Sequence, residues 1–254
     1  MTIAVIGNGA ISKYVQRELA ARDLSVAALI VRPGKEAEGC VTSVAELSED
    51  VDLLVDCAGH PGLLAHGAAA LRRGIDVVTL SLGALADAAL QVELATAAEQ
   101  GGTRLHLASG AIGALDALRA GAVGPISHVT YVGRKPPRGW KGSPAEGACD
   151  LDTLHEPFTH FTGTAREAAV TYPKNANVAA AVALSSIGLD ATQVELIADP
   201  SIAANIHEVR ADGGFGRLHF TLEGNSLPDN PRSSALAAMS AVAAVLERQK
   251  PVGF

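Results

Sequence analysis

The feature that most narrows the fold stands at the start of the chain. A β-branched apolar run, Ile3-Ala4-Val5-Ile6, leads directly into Gly7-Asn8-Gly9 and then into a helical stretch reaching Ala21. Short apolar runs and helical stretches keep alternating through residue 108. Strands are expected at Ser25–Val31, Val51–Cys57, Ile75–Leu80 and Arg104–Ala108, helices at Gly62–Arg73 and Ala84–Glu99, and a turn at Arg32-Pro33-Gly34-Lys35. Strands separated by helices of about ten residues or more imply βαβ units and a parallel sheet. Leu53-Leu54-Val55 is apolar on both faces, as a strand covered by helices on both sides requires. The expected fold class is therefore α/β, a Rossmann-type doubly wound parallel sheet.

The pattern changes at Ser109. Ser109-Gly110-Ala111-Ile112-Gly113 is a glycine-punctuated loop, followed by a short helix from Leu115 and a strand over Ile126–Arg134. Helices are expected at Ala165–Thr171 and Val178–Ile187, and strands at Gln193–Ala198, Asn205–Ala211 and Arg217–Glu223. These last strands are close in sequence, which predicts antiparallel pairing among them. A final helix, Ser233–Arg248, has Ser233 as its candidate N-cap and is amphipathic enough to pack back on the first domain. The expected organisation is a Rossmann domain of residues 1–108 plus 231–254, and a second, α+β substrate or oligomerisation domain of residues 109–230.

Gly7-x-Gly9-x-x-Ser12 follows a strand and opens a helix. In such a loop the first glycine permits a tight turn and the second lets the backbone approach a pyrophosphate, while the helix N-terminus supplies amide donors. Gly7, Gly9, Ala10 and Ile11 are thus candidate dinucleotide contacts. The third position, commonly glycine, is Ser12; it governs helix–strand packing and tolerates a small residue. The acidic residue that would bind a ribose 2′-hydroxyl after the second strand is missing, and Leu29-Ile30-Val31-Arg32-Pro33 stands there. Arg32 reads equally as a receptor for a 2′-phosphate and as a solvated loop residue, so NAD and NADP both stay open.

Composition excludes other classes. Aromatic residues make up 4% of the chain and the net charge is -7, which disfavours base stacking and phosphate-backbone binding, so no nucleic-acid partner is expected. Cys40, Cys57 and Cys149 are few and widely spaced, consistent with reduced cytoplasmic thiols rather than a disulfide framework or a zinc site. The N-terminal residues lack the basic region of a signal peptide. No apolar run reaches the ~20 residues of a membrane span. The histidines show no metal-ligand spacing, His60 and His66 being six apart, and no metal is expected.

Several segments resemble the L-aspartate dehydrogenase family: Cys57-Ala58-Gly59-His60, Ser81-Leu82-Gly83-Ala84-Leu85, Ser109 to Leu118, Gly133-Arg134-Lys135-Pro136-Pro137, Tyr172-Pro173-Lys174-Asn175-Ala176-Asn177-Val178-Ala179, Asn205-Ile206-His207 and Asn230-Pro231-Arg232-Ser233-Ser234. The resemblance extends over essentially the whole chain. Ser12 in place of glycine, and Arg232-Ser233 where Lys-Thr is typical, are the departures. It implies NAD(P)-dependent oxidative deamination of L-aspartate, or reductive amination of oxaloacetate with ammonia, with iminosuccinate as the immediate product and a possible entry into NAD biosynthesis. A homodimer is implied by the same resemblance, as are a catalytic role for His207 and cofactor contacts from Ala111 and Asn177.

Period-two alternation places Asn205, His207, Val209 and Ala211 on one strand face. A histidine near neutral pKa can act as general acid and base in amine oxidation and imine hydrolysis. On residues alone, a strand histidine is more often a satisfied structural group; the resemblance favours catalysis. Ala58, Gly59 and His60 lie at the carboxyl edge, where ligands gather in open α/β sheets, and His60 reads either as a cofactor contact or as a cap on the next helix. A dicarboxylate needs cations or oriented amides. Lys135, Arg138, Lys141, Lys174 and Arg232 are available, Lys174 first among them, with Asn175 and Asn205 as polar neighbours. The competing readings are hydride transfer on another small dicarboxylic substrate or an imine, and a non-catalytic dinucleotide sensor.

Overall fold

The computed structural model describes residues 1–173, 175–228 and 230–253, with only the backbone described at Pro231 and Arg232. In chain order the main elements are β1 Ile3–Ile6, α1 Ala10–Ala20, β2 Val26–Ile30, β3 Cys40–Val41, β4 Leu53–Asp56, α2 His60–Arg72, β5 Asp76–Thr79, α3 Ala88–Gly101, β6 Leu105–Leu107, α4 Leu115–Gly121 and β7 Ile126–Lys135. They continue with β8 Phe158–Thr164, α5 Ala165–Thr171, α6 Asn177–Leu184, β9 Gln193–Ala198, β10 Asn205–Gly213, β11 Gly216–Gly224, β12 Ser226–Leu227, β13 Asn230–Ser234 and α7 Ala235–Glu247. The chain forms two compact units. One comprises Met1–Gly110 and the chain from Ala237 onward; the other comprises Ala111–Leu236.

The first unit is built on a six-stranded sheet of order β3-β2-β1-β4-β5-β6, parallel throughout. All four residues of β1 and of β4 are buried, as helices on both faces require. Strand order reverses between β1 and β4, so the loops after these two strands meet at one crevice of the carboxyl edge. α3 starts where Asp87 accepts from the amides of Ala89 and Leu90, and stops where Gly102 turns left-handed at φ 63. α7 completes the core: Ala241, Val242 and Val245 join Ile3, Val5, Val15, Leu19, Leu53 and Val55 in one buried cluster.

The second unit carries a mixed five-stranded sheet of order β11-β10-β7-β9-β8. Here the sequence expectation of consecutive antiparallel strands holds only in part. β10 pairs antiparallel with β11, but β9 lies parallel to β7 and antiparallel to β8, on the opposite side of β7 from β10. The seven-residue strand β8 is invisible to a hydrophobic-pattern reading, because Phe158–Thr164 mixes three threonines, a histidine and a glycine with its aromatics. A capping box between Thr164 and Glu167 then begins α5 directly. Ser233 is not the N-cap of the last helix. It sits inside β13, where its hydroxyl accepts from Asn230 Nδ2 at 3.1 Å, and the helix begins at Ala235. Among the described residues no helix is long and apolar enough to cross a membrane.

Candidate active site

The crevice of the first unit is built by backbone. Gly7 turns at φ +93, and a Cβ there would lie 3.2 Å from that of Ala58, so the loops after β1 and β4 touch. Gly9 is the N-cap of α1 with no side-chain cap bond, and a Cβ on it would meet nothing within 4 Å. A helix N-terminus with uncapped amides behind open space fits the pyrophosphate of a dinucleotide. Ser12 is fully buried. Its hydroxyl donates to the Gly7 carbonyl at 2.8 Å and accepts from Gln16 Nε2 at 2.9 Å, so the residue that replaces glycine ties helix to loop.

Beneath the second loop lies Asp56, which is wholly buried. Its carboxylate accepts from Ser81 Oγ at 2.6 Å, Thr79 Oγ1 at 2.8 Å and the Ala58 amide at 3.0 Å. Burial pushes its pKa up, opposed by these donors and by the nearby His60. Gly59 precedes α2 at φ 76 and is its N-cap, so His60 is the first helical residue rather than the cap. Arg32 is exposed beyond β2, and its guanidinium makes no hydrogen bond or ion pair among the described residues.

In the second unit the pairing of β7 with β10 sets His207 opposite Gly133 and Val209 opposite Tyr131. Side chains on one face of such a pair also meet diagonally. Gly133 carries no side chain, and a Cβ there would come 2.8 Å from the Tyr131 hydroxyl. Through that gap the hydroxyl reaches His207 Nδ1 at 2.7 Å, the two rings stacked at 18°. Both residues are buried, His207 with 4% of its surface exposed. Burial, and then the charge of Lys135, lower the imidazole to about 4.

Lys135 ends β7 on the same face. Its ammonium donates to Asn175 Oδ1 at 2.9 Å and lies 4.7 Å from the centre of the Trp140 ring, and burial lowers it to about 8. Trp140 is fixed by its indole N–H donating to the Ile197 carbonyl at 3.0 Å. His160 packs edge-on against it at 4.3 Å between ring centres and pairs through Nδ1 with the Tyr172 hydroxyl at 3.0 Å. Burial and Lys135 lower His160 to about 4 as well.

The structure therefore brings His207, Asn175 and Lys135 into one corner of the second unit. Asn205 borders it: a Cβ at Gly139 would lie 3.3 Å from Lys135 Cβ and 3.9 Å from Asn205 Oδ1. Asn177 opens α6 beside this corner in sequence, and Ala111 is buried in the loop before α4. Among the other candidate cations, Arg138 is exposed near the Ala203 carbonyl and Lys141 pairs with Asp152 at the surface. Lys174 and the Arg232 side chain lie outside the described residues. Sequence reasoning missed Tyr131 and Asp56. Asp199, just past the end of β9, pairs with Arg134 at 2.8 Å and accepts from the Ser201 amide.

Comparison with known proteins assigns both units. Residues 5–108 match the family model for the NAD-binding domain of homoserine dehydrogenase, and residues 116–248 match that for the C-terminal domain of aspartate dehydrogenase. The L-aspartate dehydrogenase of Ruegeria pomeroyi is 57% identical over 97% of this chain and 92% of its own. That of Cupriavidus necator is 44% identical over 99% of both, and that of Pseudomonas aeruginosa 45% identical over 96% of both. In fold, aspartate dehydrogenase from Thermotoga maritima superposes with a TM-score of 0.78 at 24% identity, covering 100% of this chain and 99% of that one. With a family model spanning half of the chain and full-length relatives at such identity, the chain belongs to the L-aspartate dehydrogenase family.

Proposed function

We propose that the protein is an NAD(P)-dependent L-aspartate dehydrogenase whose proton-handling group is His207. The observation that carries the residue assignment is the Tyr131–His207 pair, a buried neutral imidazole held by one hydroxyl with no other hydrogen bond among the described residues. Gly7, Gly9, Ala10, Ile11, Ala58, Gly59, His60, Ala111 and Asn177 are assigned to the cofactor, and Asn175 and Asn205 to the substrate. The bound nicotinamide supplies the hydride acceptor. The balanced reaction takes L-aspartate, oxidised cofactor and water to oxaloacetate, ammonium, reduced cofactor and a proton, through iminosuccinate. His207 serves the proton movements: Nε2 gives a proton to the departing nitrogen and takes one from the amine or from attacking water. A phenol oxygen both donates and accepts, so Tyr131 can hold either neutral tautomer.

A homodimer in the cytoplasm, with iminosuccinate drawn into NAD synthesis, belongs to the same reading and is supported by the family resemblance. The test is absorbance of the reduced nicotinamide with L-aspartate and a panel of amino acids, using NAD and NADP separately. Turnover confined to L-aspartate is expected, with His207→Ala reducing it about a hundredfold or more while NAD(P)H affinity holds. Cofactor binding without turnover of any amino acid would instead support an imine substrate or a sensor.

A further inference from the structure

We propose that Lys135 is the cation that receives a carboxylate of the dicarboxylic substrate, an inference that rests on the reaction assigned above. An ammonium has three donors. At Lys135 one is taken by Asn175 Oδ1, a second side of the group faces the Trp140 ring, and no carboxylate lies within ion-pair distance among the described residues. A lysine surrounded by protein without a counter-ion is costly unless an anion arrives to pair with it. The groups facing it are His207 from β10, His160 from β8, and, through those rings, the hydroxyls of Tyr131 and Tyr172, none of them anionic at neutral pH. Its neighbour Arg134 is engaged with Asp199. The stem of Lys135 passes Gly139, where a Cβ would stand 3.5 Å from its Cδ, so the glycine keeps this corner clear. Lys135 as a residue is half-buried rather than sealed from solvent.

The pairing has a second effect. The positive charge of Lys135 is one of the two causes that hold His207 low. A carboxylate seated on the ammonium neutralises that field, so a dianionic substrate raises the basicity of His207 as it binds. A monocarboxylate that fails to reach Lys135 leaves the imidazole as it is.

The experiment uses the full-length enzyme with NAD(P) and succinate as an unreactive dicarboxylate, with butyrate as the monocarboxylate control. Lys135→Met keeps the length of the stem and removes the charge. It should raise KM for L-aspartate and the inhibition constant for succinate in parallel, by about 10- to 100-fold for one charge-assisted contact. NAD(P)H affinity and the butyrate response should hold, and the melting temperature should stay level or rise because an unpaired charge has gone. In the unmodified enzyme succinate inhibition should weaken above about pH 8 as the ammonium deprotonates; Lys135→Met should lack that dependence. An unchanged succinate constant in a folded, NAD(P)H-binding Lys135→Met protein overturns the assignment, as does pH-independent succinate inhibition of the unmodified enzyme should the variant not fold. If the unmodified enzyme fails to oxidise L-aspartate, the reaction reading falls, while direct calorimetric titration of succinate into the NAD(P)H-bound unmodified and Lys135→Met proteins still judges Lys135 on its own.

Discussion

The hydroxyl of Tyr131 lies 2.7 Å from Nδ1 of His207, and Nδ1 is its one hydrogen-bond partner among the described residues. A buried O–H left without an acceptor costs about 1–3 kcal/mol, so in the resting protein the hydroxyl donates and the imidazole carries its proton on Nε2. Tyr131→Phe removes this control. Turnover should drop about tenfold or more, with NAD(P)H affinity preserved, and nitrogen NMR of the His207 ring should change from a single Nε2–H tautomer to a mixture. Gly133→Ala should act in the same direction, because its methyl would stand 2.8 Å from the hydroxyl. An unaltered tautomer in Tyr131→Phe would show that something other than the phenol orients the ring.

Acid should unfold the second unit through its neutral histidines. His207 sits at about 4 in the folded state against an ordinary 6.5. Between those values the unfolded chain binds a proton that the folded one does not, so stability rises with pH across the window and is lost as pH falls through it. For this nearly fully buried ring the displacement corresponds to about 3 kcal/mol over the whole window. His160, lowered in the same way, adds to the loss. Urea melts at pH 7 and pH 4.5 should show the difference, and His207→Gln should shrink it. Equal stability at the two pH values would contradict a neutral buried imidazole.

Local chemistry was legible in the sequence, and register was not. The Gly7–Gly9 loop announces itself because turn, helix start and strand are adjacent in the chain, and the buried strands β1 and β4 are continuous apolar runs. The face shared by His207, Val209 and Ala211 follows from alternation alone, and all three are buried. Tyr131 is 76 residues from His207, and only the β7–β10 register sets them on a diagonal. Lys135 was one of five candidate cations for the same reason. What singles it out is a contact with Asn175 across forty residues and the ring of Trp140 beneath it. β9 looked like a neighbour of β10 because they are close in sequence, yet β7 separates them.

Cofactor choice should be readable at Arg32. The residue is exposed just beyond β2, on the edge where a ribose is recognised in this sheet order, and no acidic side chain precedes it there. Arg32→Ala should weaken NADP relative to NAD by about tenfold, the scale of one charge-assisted contact, with kcat at saturating cofactor maintained. Steady-state constants for the two cofactors check this. An unshifted ratio would make Arg32 an ordinary loop residue.

Asp56 should control the cofactor crevice from below. Its carboxylate takes three donors, from β5, from the loop after β5, and from the Ala58 amide in the loop that touches Gly7. Asn in its place has the same shape but turns an NH2 group toward at least one of those donors, a buried mismatch worth about 1–3 kcal/mol. Asp56→Asn should therefore lower the melting temperature and also raise KM for the nicotinamide cofactor, because the Ala58-Gly59 backbone loses its anchor. Added NAD(P)H should recover stability at higher concentration than the unmodified enzyme requires. KM for L-aspartate, measured at saturating cofactor, should not move. A loss of stability with cofactor affinity intact would leave Asp56 as a strand-end brace between β4 and β5, with no hold on the loop above it.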